Sequence, residues 1–134
     1  LTSPGIVLPA ASQSPIVLAF DAHHRYETDG AVDCWDGGFV EISTDGGTTF
    51  EPLGNARTLA DPYPGRLSSG NPAGGAEAWC RQPVAGTPIR THFLLDGYAG
   101  QTVRVRFRST ADSNTAGAAP NGWAIDNIAV QGCQ

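Results

Sequence analysis

The sequence predicts an all-β chain folded as an antiparallel two-sheet sandwich, and three observations carry the prediction. Seventeen glycines and ten prolines in 134 residues favour many turns and short strands over long helices. Several stretches of strand length alternate apolar with polar residues, and none shows the period of an amphipathic helix. Turn-forming residues separate these stretches with no crossover helix between them, as in sheets stacked face to face. The length suits one domain with a core of its own.

The segment 1–14, rich in Ser, Pro and Ala, is a lead-in that either lies along the sheet or links to a preceding domain. The sandwich proper is assigned to 15–134. The first strand covers 16–26, with Leu18, Phe20, Ala22, His24 and Tyr26 on one face and Asp21, His23 and Arg25 on the other. An acidic turn follows, 28–38, reading TDGAVDCWDGG, which places Asp29, Asp33 and Asp36 close together. Crowded carboxylates require a cation or a cluster of donors.

The second strand is 39–44, with Val40 and Ile42 inward. Asp45-Gly46-Gly47 then makes a hairpin, because glycine supplies the positive φ of a tight turn. Ser43, Asp45, Gly47, Thr49 and Phe50 match the Asp-box pattern of sialidases and other β proteins. A single copy cannot build propeller blades, so Asp45 is expected to cap turn amides with Phe50 packed beneath. The proline- and glycine-rich stretch 55–75 is a long loop. Short strands follow at 76–80 and 87–95, then a strand in which Val103, Val105 and Phe107 alternate with Arg104, Arg106 and Arg108. After a second loop, 111–122, the closing strand 123–130 places Asp126 on the face of Ile128 and Val130, toward the core. If the first and last strands pair antiparallel, His24, Tyr26, the acidic turn and Asp126 meet at one end of the sandwich.

Charge and cysteines narrow the function. The net charge is −5, every basic residue is Arg, and no basic run exists, which speaks against nucleic acid and anionic membranes. The apolar run 16–20 is too short to insert in a bilayer. With no start Met and no signal peptide, the chain is expected to be a mature or excised piece. Three cysteines without a CxxC spacing point to one disulfide and an odd thiol in an oxidising compartment rather than to zinc. No HExxH, GxSxG or Cys/His nucleophile pattern is present. Glu27 and Glu41 sit beside ordinary strand neighbours, so an acid/base pair is not expected. The arginine stripe is expected to be a solvated, salt-bridged face.

HRYET followed by WDGGFVEISTDGGTTF, then YAGQTV leading into RVRFRSTAD, then GWAIDNIAV resembles the jelly-roll accessory domains of secreted bacterial proteins. The pattern looks most like the immune inhibitor A type, distantly akin to MAM domains, and the resemblance runs over 18–130. It implies a calcium-stabilised jelly roll appended to a secreted peptidase, glycosidase or adhesin. Two departures stand out. The family's Glu after the HRY-type strand matches Thr28-Asp29 here, with extra residues holding Cys34, and the family's Gly after Ala-Trp is replaced by Cys80. Occurring together, they imply a Cys34–Cys80 disulfide, with Cys133 bonded elsewhere or free.

On this resemblance Asp29, Asp36, Asp112 and Asp126 are the candidate calcium ligands, since the ion takes six to eight oxygens. The competing reading has Asp126 accepting hydrogen bonds from His24, Tyr26 or turn amides. Trp35 and Trp79, flanking the disulfide, are a candidate platform for a glycan or protein ligand, whereas Trp123 is read as structural. The functional expectation is a non-catalytic, secreted module of a larger enzyme, a peptidase first, that binds glycan or protein through its loop end. The alternative is a structural or adhesive domain without its own ligand.

Overall fold

The computed structural model describes residues 1–27, 34–80, 88–113 and 122–133. Its organising strand is β2 (Val17–Arg25), whose alternation works as the sequence predicts. Leu18, Phe20, Ala22 and His24 are buried, while His23 and Arg25 are exposed. One antiparallel sheet forms around it in the order β10 (Gly122–Gln131), β2, β8 (Ile89–Leu94), β5 (Thr58–Ala60). Register places Leu18 opposite Phe93 and Phe20 opposite Thr91, all facing inward.

The second antiparallel sheet runs β1 (Ile6–Val7), β9 (Thr102–Thr110), β3 (Gly37–Ser43), β4 (Glu51–Pro52). Val40 opposes Phe107 and Ile42 opposes Val105, and these four face the first sheet. Phe20 bridges the layers, with its ring 5.0 Å from Phe107 edge-on and 6.0 Å from Trp79. Complete burial of a side chain of this size contributes about 2–3 kcal/mol. Two antiparallel sheets packed together thus form an all-β sandwich around an aromatic core. Among the described residues no helix is long and apolar enough to cross a membrane.

β3 is buried on both faces, a property its sequence does not announce. On its outer face Glu41, 3% exposed, accepts from Arg106 Nε at 2.5 Å and from Arg108 at 3.4 Å. The arginine stripe is therefore salt-bridged in part, as expected. The far edge of β3 is also occupied. Leu53 N–H bonds to the Val40 carbonyl, the Tyr63 hydroxyl accepts from Val40 N–H, and Trp79 exchanges both backbone bonds with Gly38. The stretch read as a loop, 55–75, therefore carries β5, β6 (Gly65–Arg66) and the turn leading to β7 (Glu77–Ala78). Strands this short have no period to read.

The lead-in lies along β9, where Ile6 pairs with Val103 and Thr2 with Arg106. The 45–49 turn has the expected chemistry. Gly46 and Gly47 take φ of 77° and 95°. Asp45 accepts from the Ser43 and Thr49 hydroxyls and from the Thr48 and Thr49 amides, which hold its carboxyl far below the ordinary range. Phe50 lies under the Arg106 guanidinium at 3.9 Å.

The closing strand corrects the sequence reading. β10 pairs antiparallel with β2, Trp123 opposite His24 and Asp126 opposite Asp21, but a bulge interrupts it between Asp126 and Ala129. Asn127 adopts φ 51° there. One extra residue inverts the alternation, so Trp123, Ile125 and Val130 pack against the core while Asp126 and Ile128 are exposed. Asp126 does not point inward, and its carboxylate accepts the Asn127 N–H at 2.7 Å.

Close approach of the sheets requires glycine at 38. A Cβ there would meet the Tyr26 hydroxyl at 2.6 Å and the Trp123 ring at 2.7 Å. Gly38→Ala is expected to lower stability by about 1–3 kcal/mol through overpacking. Urea unfolding measures this, and an unchanged midpoint would contradict the packing described.

Candidate functional site

Four strand ends converge at one end of the sandwich, because Gly122 pairs with Arg25 and Gly37 with Thr110. Glu27 follows β2, Asp36 precedes β3 and Asp112 follows β9. Asp36 is 4% exposed, and one oxygen accepts the Asp112 N–H at 3.2 Å. Burial pushes its carboxyl above the ordinary range, the hydrogen bond opposes this, and the Asp112 charge adds to the rise. No arginine pairs with Asp36 among the described residues. Glu27 Oε2 is buried without a hydrogen-bond partner among the described residues. Tyr26 donates to Ser109 Oγ at 3.2 Å, and burial pushes its hydroxyl up to about 12.

The floor of this end is tied down. Cys34 and Cys80 form a disulfide with Cα atoms 5.3 Å apart, the pairing that the resemblance implied. The Cys34 carbonyl accepts from Ser68 N–H. Asn71, buried, donates to the Trp35 carbonyl at 2.7 Å and accepts from Ala73 N–H and the Thr110 hydroxyl, both at 2.9 Å. Thus one amide fastens the residue before Asp36 to the end of β9.

Of the four candidate calcium ligands, Asp36 and Asp112 come together. Asp126 does not join them, because the register sets it opposite Asp21 on the outer face. Asp29 lies in 28–33, outside the described residues, as does Asp33. Among the described residues no group of three or more His, Cys, Asp or Glu is spaced to hold a metal ion. Trp79 is not a platform. It is 1% exposed, packs against Phe20, Tyr63, Phe93 and Trp123, and donates its indole N–H to the Asp61 carbonyl. Its apolar bulk fills the space between the sheets, and a ligand cannot reach its face. Trp35 remains partly exposed. Cys133 is exposed and free.

At this end the sequence reading weighs Glu27 only as half of an acid/base pair, although its place directly after Tyr26 could have marked it for the site. Asn71 sits in an apparent loop and gives no signal at all. Comparison of the chain with family models, curated proteins and solved structures gave no match.

The disulfide closes a separation of 46 residues, for which loop-closure entropy gives about 4 kcal/mol. Cys34→Ser with Cys80→Ser is expected to lower urea stability by about 2–4 kcal/mol. A loss below about 1 kcal/mol would show that the strand contacts alone hold this end.

Proposed function

We propose that the chain is a non-catalytic accessory module of a larger secreted protein, a peptidase first, wound as a jelly roll and stabilised by calcium at its acidic end. There its loops present Trp35 and their polar groups to a glycan or protein. The observation that carries the reading is Asp36, a carboxylate removed from water and given, among the described residues, one amide and no cationic side chain. At the same end of the sandwich Glu27 leaves a carboxylate oxygen without a donor among the described residues. Burying such groups costs several kcal/mol unless something satisfies them. Hard oxygens of this kind suit calcium. Asp36 and Asp112 are the described residues that would contribute to holding it, and Asp29 is the ligand expected from 28–33.

The disulfide fits an extracellular setting. When bound, the ion would supply positive charge and rigidity, and the chain's own residues would do the rest. Asn71 holds the Trp35 backbone, Asp36 takes the Asp112 amide, and the disulfide limits movement of the turn. A second reading, a structural or adhesive domain without its own ligand, draws on the burial of Trp79, which leaves less aromatic surface for recognition.

The sign of the pH dependence follows from Asp36. Its folded carboxyl titrates above the ordinary 3.8, so the folded state binds more protons than the unfolded state in that window. Metal-free stability is therefore fullest below the unfolded value and declines as pH rises through the folded one. Calcium, which binds the ionised form, counteracts the decline. Thermal unfolding at pH 7 is expected to show a Tm about 5–10 °C higher with calcium at about a hundred times Kd than with EDTA. Asp36→Asn is expected to remove most of that difference without lowering the Tm in EDTA. Equal Tm values for the unmodified chain in calcium and EDTA would refute the calcium reading. A glycan array and a pull-down that both return nothing, with Trp35→Ala also silent, would favour the structural domain.

A further inference from the structure

The Asp-box hairpin satisfies its own turn, yet it also walls a cavity that the function proposed above does not use. This cavity, of about 280 Å³, lies between the hairpin and the turn Asp96–Tyr98. Thr44, Thr49, Phe50 and Glu51 line it on the hairpin side, Tyr98 and Gln101 on the other. Glu51 stands on β4, the edge of its sheet opposite to β1. The lead-in spans β9 from Gln101, bonded to Leu8, to Phe107, bonded to Leu1, so Leu1 lies toward the other end of that strand. Every wall of the cavity thus comes from within 42–101.

Both sides are held in place by bonds of their own. Asp45 accepts from the Thr49 hydroxyl and amide and from the Ser43 hydroxyl, which leaves the lone pairs of the Thr49 oxygen to accept. Asp96 accepts the Ile16 amide and the Ser14 hydroxyl, fixing the opposite turn. The two sides are joined where the Tyr98 hydroxyl donates to Glu51 Oε1 at 2.6 Å, and the Arg57 guanidinium lies over the Tyr98 ring at 4.8 Å. Thr44, Glu51 and Gln101 are exposed. The Thr44 hydroxyl, Glu51 Oε2 and the Gln101 side-chain amide have no hydrogen-bond partner among the described residues.

We infer that this cavity is a subsite for one neutral pyranose ring of a glycan. A sugar hydroxyl donates and accepts at once, which suits a wall that combines a carboxylate, an amide and hydroxyls. Two adjacent hydroxyls donate to Glu51 Oε2 and Thr49 Oγ1, and the Gln101 amide donates to a further oxygen of the ring. The C–H face of the sugar packs against the aromatic surface of Phe50 and Tyr98. The volume is near the lower end of the range for ligand pockets, about 300 Å³, so one ring enters and the rest of the glycan stays outside. Glu51 is in no ion pair among the described residues, and its charge repels an acidic sugar. The cavity lies where β3 ends and β9 begins, at the opposite end of the sandwich from Asp36. The inference therefore goes beyond the acidic end and needs no calcium.

The test is a titration of the ¹⁵N-labelled 134-residue chain, in EDTA, with the methyl pyranosides of glucose, galactose, mannose and N-acetylglucosamine. At least one is expected to give saturable shifts at the Thr49 and Tyr98 amides and the Gln101 side chain, with a Kd of about 1–10 mM. Glu51→Gln keeps an acceptor for Tyr98 but removes the charge, and is expected to weaken binding about tenfold. Gln101→Ala, a change at an exposed residue, is expected to weaken it about threefold. Methyl glucuronide is expected to bind more weakly than methyl glucoside, a comparison that needs no variant to fold. The inference is overturned if none of the four gives saturable shifts at about 100 mM, if both variants bind as tightly as the unmodified chain, or if the glucuronide is preferred. Shifts confined to the Trp35 indole also overturn it, since the sugar then sits at the acidic end and the function proposed above stands without this subsite.

Discussion

The backbone exchange between Gly38 and Trp79 is the contact on which the rest of this structure depends. It closes the far edge of β3, and a strand edge left bare is both poorly satisfied and prone to unwanted pairing. It also delivers Trp79 to the space between the sheets, where the rings of Phe20, His24, Tyr63, Phe93 and Trp123 meet it. The disulfide at Cys80 follows immediately and returns the chain to Cys34, two residues before Asp36. Core, edge and acidic end are thus fixed by one short stretch of chain. The absence of a side chain at Gly38 makes the arrangement possible, because Tyr26 and Trp123 occupy the volume a Cβ would need.

How the carboxylates are satisfied sets the acidic end apart. Asp21 is held below the ordinary range by Asn127 and then Arg90, and Asp96 by the Ile16 amide and the Ser14 hydroxyl. Glu77 pairs with Arg66 and accepts the Asn55 amide, and Glu41 has its two arginines. Asp36 differs, since it is more deeply buried than any of these except Glu41 and is shifted the other way. Among the described residues its carboxylate is answered by the Asp112 amide, and this difference is the observation behind the cation proposed above.

The sequence made legible what depends on a strict two-residue alternation. In β2 and β9 Leu18, Phe20, Ala22, Val103, Val105 and Phe107 face the other sheet as their alternation requires, and the antiparallel pairing of first and last strands, supposed in the sequence reading, is found. Two things hid the remainder. A single inserted residue at the Asn127 bulge inverts the alternation, and Asn127 in a left-handed conformation gives no warning in a strand-like run. The stretch along β3 uses strands of two or three residues, too short for a pattern, so Trp79 read as a surface aromatic beside a loop. The disulfide was readable through the family resemblance, where two departures coincide, and composition alone left the pairing open.

Amide hydrogen exchange at Gly38 and Trp79, followed in the oxidised chain and again after reduction, tests the role of this contact most directly. Both amides are predicted to exchange as slowly as those in the centre of β2 while the disulfide is intact. On reduction, protection is predicted to fall first at these two amides and at Ser68, with β2 and β9 retained. Exchange at Gly38 and Trp79 as fast as in an exposed turn of the oxidised protein would contradict the account, for the edge of β3 would then be open and the acidic end without its anchor.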